Sequence, residues 1–143
     1  VVKKELKNKF DIVIMAAAIS DYIPKNPSKK KIKSSKTNIS ISLKKTPKII
    51  NEIKKMQKNV LLVGFKAETN VTNTQLIKSA KKKLKESSSD IIIANDIGIS
   101  RYKKNSQNNQ IIIVDSKKNI VSGWMKKDKI VKIIRKQIES KLK

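Results

Sequence analysis

The stretch Phe10-Asp11-Ile12-Val13-Ile14-Met15-Ala16-Ala17-Ala18-Ile19-Ser20-Asp21-Tyr22 decides the fold. Asp11 to Met15 read as a short apolar strand rich in β-branched residues, too short to span a membrane and suited to a sheet covered on both faces. The strand runs into three alanines, Ala16, Ala17 and Ala18. With almost no side chain there, something can approach the backbone closely where the strand ends. Ser20, Asp21 and Tyr22 place polar groups just beyond. In an open α/β sheet, ligands bind in the crevice outside the carboxyl ends of the strands, which makes Ala16, Ala17 and Asp21 candidate contacts. The same alanines suit a core strand that accepts a crossing helix, and the pattern alone leaves both readings open.

Two later segments extend the sheet. Asn59 to Phe65, NVLLVGF, reads as a second buried strand, in which Gly64 allows close approach of a neighbour and Phe65 stands at the carboxyl end. Asp90 to Asp96, DIIIAND, repeats the first pattern: a β-branched run, an alanine, then polar residues, so Asn95 and Asp96 join the candidates. Between these strands the period changes from strand to helix. Ile49, Ile50, Ile53 and Met56 form one apolar face, with Thr46 as the expected cap and Pro47 in the first turn. A long helix is predicted from Asn70 or Thr72 to about Ser87, with Leu76, Ile77, Ala80 and Leu84 toward the sheet. Lys83 stands beside that stripe, either a solvated lysine or an ammonium at the flank of a cleft.

The ends of the chain follow the same logic. Residues 1–9 look like the tail of a helix with Val1, Val2 and Leu6 as its apolar side, and the chain is expected to enter in mid-element. Ile39 to Leu43 alternate strictly and predict a half-buried or edge strand. Gly98 to Gln110 read as a polar loop carrying Arg101 and Tyr102. Strands at 110–115 and 120–122 predict an antiparallel closing hairpin, followed by a helix from Lys127 to Leu142 packing through Ile130, Ile134, Ile138 and Leu142. Strands alternating with helices give an α/β fold with a mostly parallel sheet and helices on both faces. At 143 residues the chain is read as one domain.

Composition removes several chemistries. There is no cysteine and no histidine, so disulfides, thiolate nucleophiles and the usual general base are excluded. The net charge of +24 suggests a polyanion partner, but the excess is lysine spread over every element, and the arginines are Arg101 and Arg135 alone. Aromatics at 3% give no stacking platform for single strands, which argues against a specific nucleic-acid site. No apolar run approaches the ~20 residues of a membrane span and no signal-peptide pattern opens the chain, so a cytoplasmic protein is expected. The basic run Lys29 to Lys36 follows two prolines, Pro24 and Pro27, and is by itself read as solvated charge.

Taken as a set, AAAISDY at 16–22, KIK at 31–33, TPKI at 46–49, VGFKAET at 63–69, AKKKL at 80–84 and DIIIAND at 90–96 resemble the phosphopantothenoylcysteine synthetase family, also called phosphopantothenate–cysteine ligase, in order and spacing. The likeness covers about residues 8–138. It implies a Rossmann-like fold, a homodimer, and CTP with Mg2+ activating the carboxylate of 4′-phosphopantothenate as an acyl-cytidylate before cysteine displaces CMP. By this resemblance Asp21 contacts the nucleotide, Lys31 sits at the triphosphate as the catalytic charge, Thr46, Pro47, Lys48 and Ile49 surround the base, and Phe65 and Lys83 bind nucleotide. Ser87 stands four residues on, where the family carries a further lysine. Other departures are Thr46-Pro47-Lys48 in place of Asn-Pro-Asp, Lys66 in place of a small residue, and Gln107 in place of an aspartate. The family's amino-terminal part, with its glycine-rich turn, has no counterpart here, nor has the flavin-dependent decarboxylase often fused upstream. The expectation is the carboxy-terminal portion of the synthetase, inactive alone; a degenerate CTP-binding module of the same ancestry and a basic nucleic-acid-binding protein are the alternatives.

Overall fold

The computed structural model describes residues 1–32, 37–98 and 107–142. Its centre is a five-stranded sheet in the order β1-β4-β5-β7-β8. β1 (Ile12–Met15) pairs in parallel with β4 (Leu61–Glu68), and β4 with β5 (Ile91–Asp96), while β7 (Ile112–Val114) and β8 (Asn119–Val121) close the sheet antiparallel. Outside it, β2 (Tyr22–Pro24) pairs with β3 (Leu43–Lys45), and β6 (Asn108–Asn109) with β9 (Met125–Lys126).

Alternation along the central strands sorts the core into two faces. Ile92, Ala94, Ile112 and Val114 pack under Leu76 and Ala80 of α3 (Asn73–Ser87). Ile91, Ile93, Ile111 and Ile113 pack on the other face under Ile130 and Ile138 of α4 (Lys127–Leu142). Leu62 and Val60 meet Ile50 and Ile53 of α2 (Ile50–Met56) and Leu6, just after α1 (Val2–Glu5). Burying side chains such as Ile53 and Leu62 completely is worth roughly 1.5–3 kcal/mol each. Gly64 belongs to this packing: a Cβ there would stand 2.8 Å from Ile50 Cδ1 and from Ile92 Cδ1. Helices therefore cover both faces of a mostly parallel sheet, as the sequence predicts.

The α3 boundaries are local chemistry. Thr72 Oγ1 accepts from Gln75 N at 3.3 Å while the Gln75 side chain takes the Thr72 N–H, a reciprocal capping box. At the other end Ser88 adopts a left-handed conformation with φ 52°, and the helix stops.

Four expectations need correction. β1 is an edge strand among the described residues, and Ile14 is 53% exposed, so the sheet is not covered on both faces at this end. The alternating segment 39–42 forms no strand; β3 starts only at Leu43, because its partner β2 is limited to three residues, and Ile39, Ile41 and Leu43 stay exposed for want of a core beneath them. Thr46 does not cap α2, whose N-cap is Ile49 with no side-chain hydrogen bond. Met56 and Leu142, expected on buried helix faces, are exposed. The β6–β9 pairing was not anticipated, and Arg101 and Tyr102 lie outside the described residues.

Candidate functional site

β1 runs parallel to β4 and ends at Met15 beside Gly64, four residues short of the end of β4; the chain leaving β1 leads into the β2–β3 hairpin, and the chain leaving β3 leads to α2. The crevice between these exits, closed on its far side by α3, is a cavity of about 620 Å³. That volume falls in the range of roughly 300–1,000 Å³ usual for small-ligand sites.

Each wall has its own reason. Ala17, Ser20 and Asp21 come from the exit of β1, where the small side chains keep the floor open. Thr46, Pro47, Lys48 and Ile49 come from the β3–α2 connection. The two loops are held together: Thr46 N donates to Asp21 O at 2.9 Å, and the Thr46 hydroxyl donates to Ser20 O. The side chain read as a helix cap is thus a cross-loop tie.

Phe65 lies on the β4 wall and is 39% exposed, a half-open ring that can take a planar group against its face. β4 continues three residues past the predicted end, which brings Lys66, Ala67 and Glu68 into the wall. Lys66 Nζ lies 3.1 Å from Glu68 Oε1, and Ser79 Oγ of α3 donates to the same carboxylate at 2.5 Å. The Ser79 hydroxyl first and the Lys66 ammonium second hold the Glu68 carboxyl below its ordinary range.

Lys83 reaches the cleft from α3 as one of the two sequence readings had it. Burial, and then the Lys48 charge across the cleft, push its ammonium below the usual lysine range; Lys66 adds to this while Glu86 and Asp21 oppose it. Lys82 and Glu86, 3.9 Å apart, complete this wall.

Of the residues singled out from sequence, Ala17, Asp21, Thr46, Pro47, Lys48, Ile49, Phe65 and Lys83 line one cavity. Ala16, Lys31, Ser87, Asn95 and Asp96 do not. Lys31 is exposed on the segment after β2, and its neighbour Lys33 lies outside the described residues. Ser87 is buried, donating to Lys83 O and sharing a hydrogen bond with Ser89 Oγ. Asp96 is buried and accepts from Asn70 N, Val71 N and Gly98 N, which fixes the β4–α3 connection; Asn95, its neighbour, is half-buried. Lys66 was read only as a departure from the family pattern and Glu68 only as part of the VGFKAET motif, and Ser79 was not singled out. Ser79 and Glu86 stand four before and three after Lys83, so the helical period that singled out Lys83 also placed them on its face.

Among the described residues no group of three carboxylate, histidine or cysteine side chains is placed to hold a metal ion. Of the cleft carboxylates, Glu68 is bound up with Ser79 and Lys66 and Glu86 stands 3.9 Å from Lys82, while Asp21 lines the cavity at the exit of β1. That donor set suits a hard cation carried mainly by ligand phosphates and water, with one or two protein carboxylates.

Comparison with known proteins agrees with this architecture. Residues 1–142 match the family described as DNA/pantothenate metabolism flavoprotein C-terminal domain. The chain is 40% identical over 114 residues to the coenzyme A biosynthesis bifunctional protein CoaBC of Thermococcus kodakarensis, covering 79% of this chain and 27% of that protein. In structure it is similar to the DNA/pantothenate metabolism flavoprotein from Streptococcus pneumoniae, with a TM-score of 0.80 and 25% identity, covering 97% of this chain and 67% of that one. It is also similar to the C-terminal domain of a coenzyme A biosynthesis bifunctional protein CoaBC, with a TM-score of 0.71 and 29% identity over 99% of this chain and 59% of that one. The chain therefore spans about a quarter of the length of the curated Thermococcus relative. Among the described residues no helix is long and apolar enough to cross a membrane.

Proposed function

We propose, for a chain that belongs to the DNA/pantothenate metabolism flavoprotein C-terminal domain family, that it works in coenzyme A biosynthesis and that its cleft takes the nucleotide in the ligation of 4′-phosphopantothenate to cysteine. The observation that carries this is convergence: Asp21, Thr46 to Ile49, Phe65 and Lys83 come from separate parts of the chain and line one cavity of nucleotide-compatible size.

On this reading the nucleotide is CTP. Its base lies by the Thr46–Ile49 loop and the half-exposed Phe65 ring, and its phosphates run toward Lys83. The phosphopantothenate carboxylate attacks the α-phosphate, the bond to the β-phosphate breaks, and pyrophosphate leaves. The cysteine amine then attacks the acyl carbon, loses its proton, and releases CMP. No protein nucleophile is required, which suits a chain without histidine or cysteine. What the residues supply is position and positive charge where phosphate oxygens gain negative charge. A magnesium ion bound with the nucleotide would neutralise part of that charge, with Asp21 or Glu86 as its protein ligand.

Lys31 lies outside the cavity lining and is assigned to the reacting phosphates through the family resemblance alone. Ala16, Ser87, Asn95 and Asp96 lie outside the cavity lining and are given no ligand contact on this reading. A homodimer, a cytoplasmic location and association with a flavin-dependent decarboxylase belong to the same proposal. The test is release of CMP and pyrophosphate from CTP, phosphopantothenate and cysteine, by residues 1–143 with and without the segment of the Streptococcus relative that lies outside the match. Turnover is expected with that segment; release that ignores either cosubstrate would overturn the assignment.

A further inference from the structure

The nucleotide reading gives no role to one pair of side chains in the cavity wall, Lys66 and Glu68. They stand two apart on β4 and therefore project from the same face of the strand. Lys66 Nζ lies 3.1 Å from Glu68 Oε1, Ser79 Oγ donates to that same oxygen at 2.5 Å, and Oε2 accepts no hydrogen bond among the described residues. The two side chains keep 33% and 31% of their surface open. The brace between β4 and α3 is already made by Ser79 and Glu68, and Lys66 adds no tie to α3. Lys66 also stands where the family carries a small residue, so this ammonium is particular to the present chain.

A half-open ion pair of this kind contributes little to stability, but it sorts ligands by charge. A carboxylate alone gains the remaining N–H groups of Lys66 and meets the like charge of Glu68. An amine alone gains Glu68 Oε2 and meets the like charge of Lys66. A ligand that carries both charges close together gains both contacts and leaves the Lys66–Glu68 bond in place, with unlike charges alternating around the group of four. In an α-amino acid a single carbon separates the ammonium from the carboxylate, a closeness that matches the 3.1 Å between the two side chains. Ser79 fixes Glu68 beforehand, so the carboxylate need not be ordered at the moment of binding.

We propose that Lys66 and Glu68 form a zwitterion site for the head group of a small α-amino acid, Lys66 taking its carboxylate and Glu68 Oε2 its ammonium, with Ser79 as the positioning residue. The proposal rests on the ligation reading only for the identity of the amino acid, cysteine; the site itself follows from the geometry of the pair.

The test is an NMR titration of the 143-residue protein, under reducing conditions, with cysteine, with cysteamine, which lacks the carboxylate, and with 3-mercaptopropionate, which lacks the ammonium. The variants are Lys66→Gln, Glu68→Gln, Ser79→Ala and, as a control, Lys81→Gln, an exposed lysine of α3 outside the cavity lining. Cysteine should bind the unaltered chain saturably and roughly tenfold more tightly than either analogue, as for one charge-assisted hydrogen bond. Lys66→Gln should remove the preference for cysteine over cysteamine and keep that over 3-mercaptopropionate. Glu68→Gln should do the opposite, a crossed pattern that loss of structure does not produce. Ser79→Ala should weaken cysteine binding less than Glu68→Gln and keep the order of the three ligands, and Lys81→Gln should change nothing. Absence of saturable cysteine binding, or a ligand order that Lys66→Gln and Glu68→Gln both leave unchanged, would overturn the site and leave the pair as a salt bridge in the wall. In the ligation-competent protein Lys66→Gln should raise the KM for cysteine and leave that for CTP near its original value. Ligation whose KM for cysteine ignores Lys66→Gln would overturn the site while the ligation reading stands. The crossed ligand pattern without CTP-dependent ligation would keep the site and refute that reading.

Discussion

The hydroxyl of Thr46 donates to the backbone carbonyl of Ser20, 26 residues earlier in the chain, and beside it Thr46 N donates to Asp21 O at 2.9 Å. The pair fixes the distance between the loop that follows β1 and the loop that precedes α2, which are two walls of one cleft. Thr46→Val keeps the shape and the backbone bond but deletes the hydroxyl. A loss of about 0.5–1.5 kcal/mol in urea unfolding is expected, with a larger loss of CTP affinity, because the walls are no longer held in register. Unchanged affinity would show that the backbone bond positions the loops alone.

Lys31 and Lys29 are both exposed lysines of one basic run, and the nucleotide reading separates them. In the ligation-competent protein Lys31→Gln should cost about 2–4 kcal/mol in kcat/KM, the range for a removed donor at developing charge. Lys29→Gln should cost little. Equal, small losses would return the whole run to solvated surface.

Asp115 joins the β7–β8 turn to α4. It is buried, accepts from Lys117 N at 2.7 Å and Lys118 N at 2.8 Å, and pairs with Lys141 Nζ at 3.0 Å. Asp115→Ala leaves two turn N–H groups and an ammonium without their acceptor, and should cost about 3 kcal/mol. Asp115→Glu should recover part of that loss if the pair with Lys141 matters, and none of it if only the turn geometry does.

The acid side of the stability curve follows from the same carboxyl and from Glu68. Burial pushes Asp115 up, but the Lys118 N–H, the Lys141 ammonium and the Lys117 N–H outweigh it and hold it below its ordinary 3.8. Glu68 lies below its ordinary 4.5 through Ser79 and Lys66. A carboxyl with a lowered folded pKa contributes in full above its unfolded value and loses that contribution as the pH falls through the folded one. Stability should therefore begin to fall as the pH drops below the ordinary values of 4.5 and 3.8, and Asp115→Ala should flatten that fall. Lys83 has the opposite sign: its charged form is disfavoured in the fold, so stability should rise as the pH passes from its lowered pKa toward the ordinary 10.5, while anion binding weakens over the same interval.

The fold was legible wherever the determining chemistry is local. Thr72 and Gln75 are three residues apart and cap α3 between themselves, and the β-branched runs at Ile12 and Ile91 and the apolar run at Leu61 mark strands by composition alone. What could not be read depends on distant partners. Thr46 followed by Pro47 has the sequence of a helix start, and only Ser20 O decides otherwise. Ile39 and Ile41 alternate like strand residues, but no core lies beneath them to convert the pattern into pairing. Of the site, the exits of β1 and β3, Phe65 and Lys83 were visible as motifs. The Lys66–Glu68–Ser79 wall was not, because it arises from three more residues of β4 meeting α3.

The measurement that bears most directly on the cleft as a nucleotide site is an amide NMR titration of residues 1–143 with CTP and Mg2+, with the resonances assigned. Saturable shifts concentrated at Ala17, Asp21, Thr46, Lys48, Phe65 and Lys83, diminished in Lys83→Gln, are the expected result. Shifts scattered over the exposed lysines of α3 and α4, without saturation and erased by salt, would contradict a nucleotide site in this cleft.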